Sequence, residues 1–275
     1  MTHRTFLLVV FDKLEAAWLV DRAAETASGF NAHLTVLHPF APLVFPAGIQ
    51  SEPTVFSKML DWEETESRAI RIKVEEALRR NALQGEYRAQ DALFGAEAYL
   101  LHAARAADVV LVGATAERSP DERTLAHRLV REAGRPFLVL GRGASIAGPA
   151  QRILMGWNDT REATRAIHDA IGMTAPGAEV TLVSLHSAAD EVSPMAGGLQ
   201  DLAAALDRLG FRVTITDRPA NPDARAAELL RCARDMDAEL LVTGAFGHSQ
   251  IYDFFIGAVT RHLLDGAPIP IFLSG

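Results

Sequence analysis

Toward the end of the chain three glycines stand at a spacing suited to an anion. Gly244, Gly247 and Gly257 form a G-x2-G-x9-G run that begins after Thr243 and leads into Ala258, Val259 and Thr260. Glycine reaches positive φ without strain and lets backbone N–H groups close on a phosphate. The last glycine opens a helical pattern, and a helix N-terminus adds unpaired N–H donors and a favourable dipole. Ser249 and Thr260 offer hydroxyl donors, and His248 and Arg261 offer positive charge. The plainer alternative is that Gly244 and Gly247 shape a turn and Gly257 caps a helix. Three glycines at this spacing, at the expected end of a parallel strand, favour the anion loop, because open parallel sheets bind ligands beyond the carboxyl ends of their strands.

The elements that must hold this loop come as a repeat. Phe6–Val10 followed by a helical pattern to Ala27 is matched by Ile153–Gly156 followed by one to Ile171. Ala32–Leu37 is matched by Ala178–Val183, Asp108–Ala114 by Glu239–Ala245, and Arg135–Leu140 by Ile269–Ser274. Each half reads as five strands alternating with four helices. The strands are expected near 5–11, 32–38, 86–92, 108–113 and 136–140, then 152–157, 178–184, 211–216, 239–243 and 269–273. Short apolar runs without strict alternation suit a parallel sheet covered by helices on both faces. The fold class is therefore α/β, with two tandem five-stranded parallel-sheet domains over residues 1–143 and 150–275. Between them Gly141–Gly148 is small, flexible and polar, and reads as a linker.

With that glycine run in that place, the second half resembles the universal stress protein family, whose ATP-binding members carry G-x2-G-x9-G-[ST] here. The two-copy arrangement resembles the family's tandem members. The resemblance implies a five-stranded, adenine-nucleotide-binding fold and ATP or AMP as ligand, with Mg open as the companion of a triphosphate. It places Gly244, Gly247, Gly257, Ala258 and Val259 against phosphates and ribose. Thr243 and Leu185 would line the adenine pocket, and Asn158 would sit near base and ribose. Two residues depart from the family pattern. Asn158 stands where an acidic residue is expected, which keeps hydrogen bonding and loses charge. Ala258 stands where a serine or threonine is expected, so one hydroxyl donor is missing and Ser249 or Thr260 would have to compensate. Members often dimerise through the last strand, which suggests an intramolecular pseudo-dimer and leaves a homodimer open as well.

The first half lacks this loop. Gly113 is followed by a shorter stretch without the second and third glycines, and it carries Glu117, Asp121 and Glu122, which would repel a triphosphate. Asp12 is retained after the first strand, at the place that Asn158 takes in the second half, but Lys13 and Leu14 follow where small residues would be expected. This half reads as degenerate for nucleotide and structural in role. Pro39–Ile49 is a proline-broken, aromatic loop, expected to pack across the domain interface or cover the degenerate site, with an exposed partner patch as the sharper alternative.

Other chemistries find little support. There is no Walker A motif and no dinucleotide fingerprint after either first strand. Gly247-His248-Ser249 begins a nucleophile elbow that Ile251 leaves without its last glycine. Adjacent residues such as His248 and Ser249 seldom point at one another productively, so a serine hydrolase is disfavoured. The histidines show no zinc-ligand helical spacing with a third ligand nearby, so no metal site is expected. Net charge is −8, which argues against nucleic acid and anionic membrane as partners. The longest apolar stretch is proline-broken and too short to span a bilayer. The single Cys232 excludes an internal disulfide and fits a reducing cytoplasm. The sequence reads as a cytoplasmic stress-response protein. It is non-catalytic, or hydrolyses ATP at most weakly, and holds an adenine nucleotide in its second half for an unknown protein partner to read. The alternative is a nucleotide-free interaction scaffold with a relic glycine loop.

Overall fold

The computed structural model describes residues 3–39, 53–90, 96–186, 196–245 and 258–275. Gly247, Ser249 and Gly257 lie outside them, as does all of the apolar segment after Pro39 up to Ile49.

The first half runs β1 (Thr5–Val9), α1 (Lys13–Gly29), β2 (His33–Pro39), α2 (Pro53–Arg80), β3 (Gly85–Gln90), α3 (Ala96–Ala106), β4 (Val109–Gly113), α4 (Pro120–Glu132) and β5 (Phe137–Leu140). The second runs β6 (Ala150–Trp157), α5 (Arg161–Ala170), β7 (Thr174–His186), α6 (Ala196–Arg208), β8 (Arg212–Pro219), α7 (Arg225–Asp235), β9 (Leu240–Gly244), α8 (Ala258–Asp265) and β10 (Ile271–Ser274). All ten expected strands form. The two sheets fuse into one, in the order β3-β2-β1-β4-β5-β10-β9-β6-β7-β8. Pairing is parallel throughout except at the β5–β10 seam, which is antiparallel.

Period-two alternation sends Phe6, Leu8 and Val10 to one face and Leu7, Val9 and Phe11 to the other. Residues of α1, α2, α5 and α6 cover the first face, and those of α3, α4, α7 and α8 cover the second. The strands are buried on both sides, which is why they read as unbroken apolar runs. Cys232 is buried in α7.

Three details differ from expectation. β7 begins at Thr174, ahead of its apolar run, and meets β6 through an irregular register between Ala150 and Arg152. β8 continues past residue 216 to Pro219 because it is an edge strand, where polar Asp217 and Arg218 can extend the ladder facing water. The Gly141–Gly148 linker is packed rather than loose. Ala144 and Ile146 are buried, and a Cβ on Gly141 would lie 1.9 Å from the Ala267 carbonyl oxygen. On the other side, a Cβ on Gly29 would lie 2.1 Å from the Ala147 carbonyl oxygen. Small residues serve here for close backbone approach, not for flexibility.

At the seam Ile271, Phe272 and Leu273 pair with Val139, Leu138 and Phe137, all fully buried. Among the described residues no helix is long and apolar enough to cross a membrane.

Candidate functional site

In each half the chain first builds outward on one face of the sheet and then returns on the other. The connections through α5 and α6 lie on one face, and those through α7 and α8 on the opposite one. β6 and β9, which are neighbours, are therefore the point where the winding reverses, the place beyond whose carboxyl ends open α/β sheets hold ligands. Four residues named from sequence arrive at this end. Thr243 and Gly244 close β9, Asn158 follows β6, and Leu185 lies near the end of β7, half-buried against the α7–α8 side. Ala258 begins α8, with Val259 half-buried and Thr260 buried behind it.

Local contacts explain the geometry. Thr160 caps α5, accepting from Ala163 N at 3.2 Å, and its hydroxyl donates to Asn158 Oδ1 at 2.8 Å. Asn158 is thus tied to the helix start. Gly244 passes so close to the first turn of α5 that a Cβ would stand 2.7 Å from Ala163 N and 2.8 Å from Glu162 C. Only glycine permits that approach. The first glycine of the run is thereby required by packing, which holds β9 against the N-terminus of α5. Thr243 is nearly buried, with its Oγ1 3.5 Å from where a Cβ on Gly156 would be. Among the described residues no group of three His, Cys, Asp or Glu could hold a metal ion.

The same place in the first half is filled by the protein itself. Arg118, from the loop after β4, reaches between β1 and β4 and donates from Nη2 to Glu15 Oε1 at 2.5 Å and to Gly113 O at 2.9 Å. Both side chains are 5% exposed. Glu15 Oε2 accepts Phe11 N at 2.9 Å, and the guanidinium lies 5.1 Å from the Phe11 ring centroid. Burial pushes the Glu15 carboxyl above the usual range, and the Arg118 charge opposes that rise. What space remains is a cavity of about 60 Å³ bordered by Trp18, Asp12 and Arg142, far below the size of a nucleotide pocket.

Sequence reasoning read the first half as degenerate from its missing glycines and acidic residues, and missed this plug. The residues counted as repulsive have other work: Glu122 completes a capping box with Ser119 at the start of α4, and Glu117 pairs with Arg142 at 2.7 Å. The Ser119-Pro120-Asp121-Glu122 cap was readable and fixes where Arg118 leaves the loop. Asp12 is not the counterpart of Asn158 either. Phe6 opposite Val109 and Ile153 opposite Leu240 set the common register, and counting on from them puts Phe11 at the place of Asn158. Asp12 instead caps α1, accepting from Glu15 N at 2.7 Å. His38, at the end of β2, is buried beside Val10 O at 2.9 Å, and burial holds its imidazole below the usual range.

With this geometry in place, comparison with known proteins is direct. Residues 149–274 match the universal stress protein family. The second half is therefore a universal stress protein domain. A universal stress protein from Archaeoglobus fulgidus DSM 4304 superposes with a TM-score of 0.68 at 14% identity, covering 99% of this chain and 96% of that one. A putative universal stress protein from Pseudomonas aeruginosa UCBPP-PA14 superposes with a TM-score of 0.51 at 16% identity, covering 99% and 93%. At such identities these two show the fold of the whole chain and nothing finer. No curated protein sequence matches it. Both halves have the same strand order, and Arg118 and Glu15 plug the switch point of the first.

Proposed function

We propose that the chain is a tandem universal stress response protein, with domains at 1–143 and 150–275, whose second domain binds an adenine nucleotide, ATP or AMP. In this reading it is cytoplasmic and non-catalytic, or at most weakly ATP-hydrolysing. Occupancy of the glycine run changes a surface that a protein partner reads. The observation that carries the reading is the contrast between the two switch points. In the first half Arg118 and Glu15 fill the space. In the second, Gly244 is pressed to the start of α5, and the glycine run follows between the ends of β9 and α8. Asn158 and Leu185 suit a base and ribose: one hydrogen-bonding amide and one apolar side chain. The N-terminus of α8 suits phosphates. A Mg ion accompanying a triphosphate would take its oxygens mainly from the phosphates.

The test is native mass spectrometry of gently purified protein, followed by ATP and AMP titrations by calorimetry. One adenine nucleotide per chain is expected. Gly247→Glu should abolish binding while the circular dichroism spectrum is unchanged. Unchanged affinity in that variant, or no binding at millimolar ATP, overturns the reading and leaves a nucleotide-free interaction scaffold, which Asn158 and Ala258 would then explain.

A further inference from the structure

The last strands of both halves are spent on the β5–β10 seam, with β4 and β9 on their other sides, so neither is open to another copy of the chain. A different surface is left unpartnered on α2, whose 28 residues make it the longest helix described. The rotation of this helix is fixed on two sides. Ile70, Val74 and Ala77 are buried in the core that covers the first face of the sheet, and Ser67 Oγ lies 2.9 Å from Tyr87 Oη on β3. Toward α1, Lys73 and Arg80 reach Asp21 at 2.6 and 2.8 Å, and Glu66 accepts from Lys13 N at 3.0 Å.

What faces water is a stripe. At about 100° per residue, Trp62, Thr65, Ala69, Ile72 and Glu76 fall on one flank of α2, with the alternating three- and four-residue spacing of a coiled-coil seam, and Lys58 stands one turn before Trp62. All six are exposed. Trp62 is 60% and Ile72 52% exposed, and they are two of the five large apolar side chains so exposed among the described residues. Thr65 returns its hydroxyl to Asp61 O at 2.7 Å, which leaves its methyl group as the part open to a partner. Lys58 and Glu76, at the two ends, make no ion pair among the described residues. Glu64 and Arg68, beside the stripe, pair with each other at 2.8 Å.

We propose that this stripe is a self-association surface, on which α2 of a second copy of the chain lies antiparallel across a two-fold axis near Ser67. In that register Trp62 of one copy meets Ile72 of the other, Thr65 meets Ala69, and Lys58 meets Glu76, each contact occurring twice. The small Thr65–Ala69 layers stand at the centre, where they let the helices approach, and the Trp62–Ile72 layers exclude water on either side. The charged pairs close the two ends of the seam. A parallel arrangement would set Lys58 against Lys58 and Glu76 against Glu76, so the charges select the antiparallel one. From Lys58 to Glu76, at about 1.5 Å per residue, the seam is about 27 Å long. That is a small interface, so monomer and dimer exchange with concentration. The surface belongs to the first half and is independent of what the second half binds.

The test is sedimentation velocity of the full chain over a concentration series up to about 0.5 mM, enough to populate a dimer of submillimolar Kd. Wild type should pass from monomer to dimer along the series. Trp62→Ala should raise the dimer Kd about tenfold, since it removes two anchors per dimer, and should leave the melting temperature unchanged because the side chain is exposed. Lys58→Glu and Glu76→Lys should each weaken the dimer about threefold, and the two changes together should restore the wild-type value. Ile215→Ala, an exposed apolar residue on the edge strand β8, should behave as wild type. Wild type that stays monomeric throughout overturns the proposal, and so does a dimer indifferent to Trp62→Ala. A dimer that the paired charge swap weakens more than either single change overturns the antiparallel register.

Discussion

Removing Arg118 should expose what the plug does. In Arg118→Ala the Glu15 carboxylate keeps the Phe11 N–H at 2.9 Å and loses the guanidinium on its other oxygen, at a site 5% exposed. Breaking a buried ion pair on one side costs about 3–5 kcal/mol, because the surviving charge stays desolvated. With a midpoint shift of roughly 2–4 °C per kcal/mol in a chain of this size, the melting temperature should fall by about 6–20 °C near neutral pH. The pH dependence carries a definite sign. Burial already raises the Glu15 carboxyl in the folded protein, and Arg118 is the main force opposing that rise. Without it the folded value climbs further above the unfolded one, so the folded state holds a proton that the unfolded state has released. Stability then falls as pH rises from the unfolded glutamate value, about 4.3, toward the folded one. The variant should be closest to wild type near pH 5 and furthest from it near pH 8. Urea denaturation of both proteins at the two pH values measures the difference, and titrations common to both cancel. Glu15→Gln combined with Arg118→Met, which removes both charges at similar volume, should recover most of the stability and lose the pH dependence. A deficit in Arg118→Ala that is the same at pH 5 and pH 8, or smaller than about 1 kcal/mol at pH 8, would refute the reasoning.

Two further outcomes follow from glycines held by close approach. Gly141→Ala would drive a Cβ to 1.9 Å from Ala267 O, so the seam must part; a loss of about 1–3 kcal/mol is expected by calorimetry, in one transition for both halves, and two separate transitions would contradict a single cooperative sheet. Gly244→Ala would press a Cβ to 2.7 Å from Ala163 N, pushing β9 away from α5; ATP affinity should fall along with the urea midpoint, and an unchanged midpoint would mean the approach is not tight.

The architecture was legible because its signal is carried by the strands. Runs such as Phe6–Val10 and Leu240–Val242 are buried on both faces, so they repeat as apolar blocks that two halves of one chain can be aligned upon. Interactions made by one side chain across long separations were not legible. Glu15 and Arg118 are far apart in sequence and ordinary in type, and only the neighbouring ends of β1 and β4 bring them together. The linker misled for a related reason. Glycine and alanine suit both a loose tether and a tight backbone contact, and composition cannot distinguish the two, whereas the 1.9 Å approach at Gly141 can. Asp12 misled through its position one residue beyond the register that Phe6 and Ile153 define. Of the candidate site residues, Thr243, Gly244, Asn158 and Leu185 lie at the strand ends, which strand order alone made legible. The cap that ties Asn158 to Thr160 is local, and was readable in principle from the Asn-Asp-Thr run before α5.

A filled site is costly to keep unless it serves the fold, since a buried ion pair is seldom more stable than apolar side chains of the same volume. Here the pair sits where the outward and return layers of the first half diverge, a crevice that would otherwise admit water between β1 and β4. Closing it stiffens the loop that carries Thr115 to the end of α8 and sets the start of α4. Just beyond that helix, Gly134 O accepts from Arg165 of α5 in the second half. The chain of contacts therefore runs from the plug through α4 to the carboxyl ends of the second half's strands, along one element rather than through a flexible tether. A half that had kept an open site would have had to hold α4 with an intermittently occupied loop. With its own switch point filled by Arg118 and Glu15, the first half holds α4 in a fixed place beside the second.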